Sequence, residues 1–114
     1  DIVIAELGMT PVVNLKDARF VTLETIKDLQ FIYQVIKNAE LIIGIDSSFM
    51  HMANASGTKA VSIMGRLDQF SHHCPYSGRF WDGNGITFVR AGEGDESPAV
   101  EISDVMKAVD RMLA

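Results

Sequence analysis

Leu41-Ile42-Ile43-Gly44-Ile45-Asp46-Ser47-Ser48-Phe49-Met50-His51-Met52-Ala53 joins an apolar run, a polar turn and the start of a helical pattern. The apolar run over 41–45 reads as a buried strand, and it stops abruptly at a carboxylate and two hydroxyls. A helical pattern follows from about Ser48 to Ser56 and closes at Gly57, where a C-cap glycine is expected. Open α/β sheets hold their ligands at such strand-to-helix turns, outside the carboxyl ends of the strands. The first N–H groups of the helix lack intrahelical partners and lie at the positive end of its dipole, which suits a phosphate.

Outward from this core the pattern alternates. Asp28 is a credible N-cap, and Leu29, Ile32, Tyr33, Ile36 and Ala39 recur at helical spacing. Residues 59–64 read as a second buried strand ending at Gly65, and 86–89 as a third. The stretch 66–84, with Pro75, Gly78, Gly83 and a cluster of aromatics, reads as loop. Ser103 is the expected cap of a last helix with Val105, Met106, Val109, Met112 and Leu113 as its apolar stripe. The first 22 residues fit short extended segments at 11–15 and 19–22, while 2–7 fit either a strand or a helix tail closed by Gly8. Strands alternating with helices at this spacing predict βαβ units and a parallel sheet.

Composition narrows the function. Nearly half of the 114 residues (47%) are apolar, enough for a core, and no apolar run approaches the roughly 18 residues that span a bilayer. No signal-peptide pattern precedes the first segment, and a chain opening on Asp1 rather than Met is expected to be a fragment or a processed form. A net charge of −5 excludes a broad nucleic-acid surface but not a single phosphate site built from helix-terminal amides. Cys74 is the one cysteine, so no internal disulfide forms, which fits a reducing compartment.

A simple helix start accounts for part of the 46–51 constellation. A carboxylate followed by two hydroxyls nevertheless exceeds what one cap requires, since one side-chain oxygen satisfies one orphan donor. His51 lies in the first turn, where its ring reaches the space of the Ser47 and Ser48 amides and can donate to a phosphate oxygen. Three nucleotide or hydrolase motifs are missing: G-x-S-x-G, the P-loop and G-x-G-x-x-G. His72, His73 and Cys74 fit a metal poorly, because adjacent residues of an extended segment point to opposite faces. With no D-x-D either, neither a metal nor a cofactor is expected. Arg66, Asp68, His72, His73 and Tyr76 read as a substrate rim, and Phe70, Tyr76, Phe80 and Trp81 as packing for the long loop.

Residues 28–65 resemble the C-terminal half of family 9 glycosyltransferases, the heptosyltransferase group of bacterial lipopolysaccharide synthesis. That family carries a helix, an apolar strand and Asp-[Thr/Ser]-Gly-x-x-His-x-Ala, then a small-residue helix, a second strand and Phe-Gly-Pro-Thr. This chain reads Asp46-Ser47-Ser48-Phe49-Met50-His51-Met52-Ala53, then Ala60-Val61-Ser62-Ile63-Met64-Gly65. The terminal helix is similar in kind, and the resemblance fades before Thr25. Ser48 stands where the family has glycine, and Arg66-Leu67 where it has Pro-Thr.

The resemblance implies a Rossmann-like three-layer parallel sheet with flanking helices, one half of a GT-B fold. Residues 1–114 would form a single C-terminal domain holding a nucleotide-sugar, with the N-terminal acceptor domain absent. The reaction would be inverting transfer to a glycan or lipid-linked acceptor. His51 and Asp46 are the implied catalytic residues. Ser47, Ser48, Phe49 and His51 would hold the donor diphosphate, Ile26 and Lys27 would lie near the base, and Gly65, Arg66 and Asp68 would form the rim. The implied setting is cytoplasmic, or peripheral at the inner membrane in a parent protein, with no nucleic-acid partner. The fragment alone is expected to transfer no sugar. The alternatives are a non-catalytic nucleotide- or partner-binding domain and an unrelated phosphate-binding α/β domain.

Overall fold

The computed structural model describes residues 2–8, 16–17, 19–24, 28–64, 74–90 and 100–114. In chain order they form β1 (Ile4–Gly8), β2 (Phe20–Glu24), α1 (Leu29–Lys37), β3 (Ile42–Ile45), α2 (Ser48–Ser56), β4 (Ala60–Ile63), α3 (Gly78–Trp81), β5 (Ile86–Val89) and α4 (Ile102–Leu113). Two compact units emerge, Asp1–Ile32 and Tyr33–Ala114.

In the first unit β1 pairs in parallel with β2, with Ile4 opposite Phe20 and Gly8 opposite Glu24. The ambiguous segment at 2–7 is therefore strand from Ile4 onward and not a helix tail, and Gly8 is the last residue of that strand. Beside it the Arg19 guanidinium bonds the Asp17 carboxylate at 3.0 Å and holds that carboxyl below the usual range. Both groups are solvent-exposed, so the pair adds little to stability. The proposed extended segment at 11–15 lies outside the described residues.

Helix α1 starts where its sequence says it should. The Asp28 carboxylate accepts from the N–H groups of Gln30 (3.0 Å) and Phe31 (3.3 Å), a side-chain N-cap.

The second unit is a three-stranded parallel sheet in the order β3-β4-β5, with Ile43 opposite Val61 and Val61 opposite Thr87. Alternation along β4 sends Val61 to one face and Ala60 and Ser62 to the other. On the first face Val61, Val89 and Ala108 form a buried cluster, onto which Leu41, Val100, Val105, Val109 and Met112 of the partly buried shell pack. The stripe of α4 thus runs through Ala108, while Met106 and Leu113, expected to share it, are 51% and 48% exposed. A small residue sits where α4 approaches the sheet, and hydrophobicity alone undercounts it. Helix α4 also begins one residue before the expected cap: Glu101 occupies the N-cap and Ser103 lies inside the first turn.

On the opposite face α2 buries Met50 and Ala53. Gly44 permits this approach, since a Cβ there would stand 3.2 Å from the Met50 methyl. Helix α2 ends at Gly57 in the left-handed conformation (φ 84°), which a side chain would strain. Thr58 then buries its hydroxyl by donating to the Ile36 carbonyl at 2.7 Å, tying the end of α1 to the start of β4. Helices on both faces of a parallel sheet make this unit α/β and Rossmann-like, as predicted.

The stretch 66–84 is not wholly loop, because α3 forms within it. Its support is tertiary. Asn54 of α2 accepts from the Phe80 N–H at 3.3 Å and donates to the Ser77 carbonyl at 2.9 Å. In return Arg79 Nη2 donates to the carbonyls of Ala53 (3.0 Å), Asn54 (3.3 Å) and Thr58 (3.2 Å). The two helices hold each other's ends. Phe80 beneath them is fully buried, and removing such a ring costs about 3–5 kcal/mol.

Candidate functional site

Strand β3 delivers Asp46 to the carboxyl edge of the sheet, and Ser47 turns the chain into α2 with an extended backbone (φ −161°, ψ 172°). Ser47 caps through its main chain: its carbonyl accepts from the N–H groups of Met50 (3.1 Å) and His51 (3.4 Å), while its hydroxyl makes no capping bond. The N–H groups of Ser48 and Phe49 lead the helix, where the dipole is positive and no acidic side chain sits in the first turn. A second hydroxyl at Ser48 is exposed beside them. This end of α2 presents donors to an anion.

His51 is exposed, one turn into α2, and its ring lies against Tyr76 with centroids 4.9 Å apart and planes inclined at 59°. The Tyr76 hydroxyl donates to Asp46 Oδ1 at 3.3 Å. Asp46, His51 and Tyr76 therefore form one cluster at the ends of β3 and α2. Burial pushes the Tyr76 hydroxyl above the ordinary tyrosine value; its contact with the Ser62 hydroxyl pulls down, and the Asp46 charge pushes further up. The phenol stays a neutral donor to the carboxylate through the whole neutral range.

Tyr76 is the residue that the sequence reading placed in packing and on the rim without joining it to Asp46. Its ring does pack, edge-on to Phe80 (5.5 Å, 88°) and stacked on Phe88 (6.1 Å, 24°). Trp81, read as packing too, is instead 65% exposed. It lines an open hollow of about 560 Å³ that runs from His51 past Asn54 and along the segment from Cys74 to Gly78. Among the described residues at the start of α2, His51 lines this hollow.

Asp46, Ser47, Ser48, Phe49 and His51 thus come together. Ile26, Lys27, Gly65, Arg66, Asp68, Phe70, His72 and His73 lie outside the described residues. Among the described residues no three His, Cys, Asp or Glu side chains gather in a way that would hold a metal ion. Nor is any helix among them long and apolar enough to cross a membrane.

Comparison with known families matches residues 12–83 to glycosyltransferase family 9 (heptosyltransferase). No curated protein and no solved structure matches. The matched span contains the β3–α2 junction, Asp46, His51 and Tyr76, and it takes in more than half of the chain, which therefore belongs to glycosyltransferase family 9, the heptosyltransferase family.

Proposed function

We propose that this chain is the donor-binding half of an inverting glycosyltransferase, holding the diphosphate of a nucleotide-sugar at the start of α2. The observation that carries the proposal is the junction itself. A carboxylate ends β3, the leading N–H groups of Ser48 and Phe49 open α2, and the exposed His51 imidazole stands in the first turn. Family membership makes a sugar-nucleotide the natural anion for it.

In such a reaction the acceptor hydroxyl attacks the anomeric carbon as the bond from that carbon to the diphosphate oxygen breaks. Negative charge grows on the departing nucleoside diphosphate. Amide donors and an imidazole fixed at that oxygen stabilise the transition state more than the ground state. Asp46, on the sheet side of the turn, would face the hydroxyls of the donor sugar. The attacking hydroxyl needs a base within about 2.6–3.2 Å or one water away. We assign that base to an acceptor-binding domain, so this chain by itself would transfer no sugar. Transfer of a heptose onto a lipopolysaccharide core, in the cytoplasm or at the inner membrane, is the specific form that we propose for the parent enzyme.

The serine at position 48, where the family pattern quoted above has glycine, supports a second reading: a non-catalytic half that binds nucleotide alone. Titrating ADP, UDP and GDP into isotope-labelled protein tests the shared element. Amide signals of residues 47–51 should move first. A response confined to the hollow near Trp81, or none at millimolar nucleotide, would refute the site. Incubation with ADP-heptose and a deacylated core acceptor then tests inactivity, since acceptor-dependent release of ADP would reveal a base within this chain.

A further inference from the structure

Asp46 and His51 belong to different elements, and both side chains are exposed. An exposed carboxylate at a strand end and an exposed imidazole on a helix ordinarily sample several rotamers. A ligand that uses both must order them as it binds, and that ordering weakens affinity.

One residue touches both. Tyr76 reaches Asp46 from 30 positions along the chain, and its own ring is packed between two others. Only 3% of it is exposed. Phe80 of α3 meets its ring edge-on and Phe88 of β5 stacks against it, so one helix side chain and one strand side chain fix its plane. From that rigid seat the hydroxyl reaches Asp46 Oδ1, and the ring stands 4.9 Å from the imidazole. The bond engages one carboxylate oxygen and leaves the other for a ligand hydroxyl. The tilted ring contact limits imidazole rotation without using either ring nitrogen, so both remain for hydrogen bonding.

We infer that Tyr76 is a positioning residue of this site: its hydroxyl sets the Asp46 carboxylate and its ring sets the His51 imidazole before any ligand arrives. The effect on affinity rests on the donor-binding reading above, whereas the effect on the two side chains does not. Pre-ordering two side chains is worth roughly tenfold in affinity.

Tyr76→Phe and Tyr76→Leu separate the two contacts, and Val109→Ala, which loosens the α4 face of the sheet, controls for general loss of stability. In Tyr76→Phe the Asp46 Hα–Hβ couplings should average toward those of a free rotor and its side-chain carboxyl carbon should shift. The His51 ring protons should keep their positions in that variant. In Tyr76→Leu those ring protons should lose the ring-current shift, and ADP should bind about tenfold more weakly. Unchanged Asp46 couplings in the first variant, with unchanged His51 shifts in the second, would overturn the inference. So would an equal loss of ADP affinity in Val109→Ala, which would mark Tyr76 as core alone. If the unsubstituted protein binds no ADP, UDP or GDP, the donor reading fails by itself, and the Asp46 and His51 signals still decide the role of Tyr76.

Discussion

Arg79→Ala should be among the most damaging single changes outside the buried core. Its Nη2 donates to the carbonyls of Ala53, Asn54 and Thr58 at 3.0, 3.3 and 3.2 Å, two of them in the last turns of α2. One charge-assisted hydrogen bond contributes about 1.5–3 kcal/mol, and a single nitrogen shared over three acceptors counts nearer once than three times. A cation at a helix C-terminus adds about 0.3–1 kcal/mol. The guanidinium also stands 4.5 Å from the Phe80 ring centroid, a contact worth about 0.5–1 kcal/mol. The sum is about 3 kcal/mol, which for a domain of this size lowers Tm by about 12 °C. Urea unfolding followed by circular dichroism measures it, with Lys107→Ala on the exposed side of α4 as a control expected within about 0.5 kcal/mol. Arg79→Lys should recover the helix-end charge but not the fork, and so remain about 2 kcal/mol below the parent. An Arg79→Met protein as stable as the parent would mean that the aliphatic stem alone suffices and that the three carbonyl bonds contribute nothing.

Other outcomes follow from the same geometry. His51→Ala should weaken ADP binding by roughly ten- to hundredfold, the loss of one hydrogen bond to a charged group, about 1.5–3 kcal/mol, while calorimetry finds Tm nearly unchanged because the ring is exposed. Asp28→Ala removes the carboxylate that caps α1 and should destabilise the chain by about 1 kcal/mol in denaturant titration; Asp28→Asn should restore most of it. Tyr76 should ionise above free tyrosine, read at 295 nm in a Tyr33→Phe background, since burial raises it. A raised folded value means that the folded state holds its proton longer. The Tyr76 contribution is thus fully present below about pH 10 and is lost as pH climbs through the folded value. Stability that rises over that range in the Tyr33→Phe protein but not in Tyr33→Phe/Tyr76→Phe would contradict the assigned burial.

What the sequence disclosed tracks how local each determinant is. The β3–α2–β4 run was legible because every boundary is written within a few residues of itself. A carboxylate ends the apolar strand at Asp46, and the left-handed cap at Gly57 ends the helix. Asp28 was legible as a cap for the same reason, since its acceptor and both donors lie within three positions. Ser103 misled because serine is the better capping residue in general, whereas α4 starts at a Glu101 that makes no side-chain cap bond. Its start follows the packing of Val105, Val109 and Met112 on Val61 and Val89, which local propensity does not record.

Helix α3 and the tyrosine cluster belong to a different class. Four residues between Ser77 and Asp82 are too few to show a period, and an isolated helix of that length does not persist in water. It exists because Asn54 supplies the acceptor for the Phe80 N–H from 26 positions away. The Tyr76–Asp46 bond likewise joins segments 30 positions apart. Both long-range links converge on α2 and the residues that flank it: Asn54 and Arg79 fix its far end, and Tyr76 reaches the side chains at its near end. The motif from Asp46 to Ala53 therefore names the groups that can meet a phosphate, while their geometry is set by the 74–80 segment. A chain carrying the first segment intact and the second altered should keep the family signature and lose the arrangement of Asp46 and His51 that the proposed donor site needs.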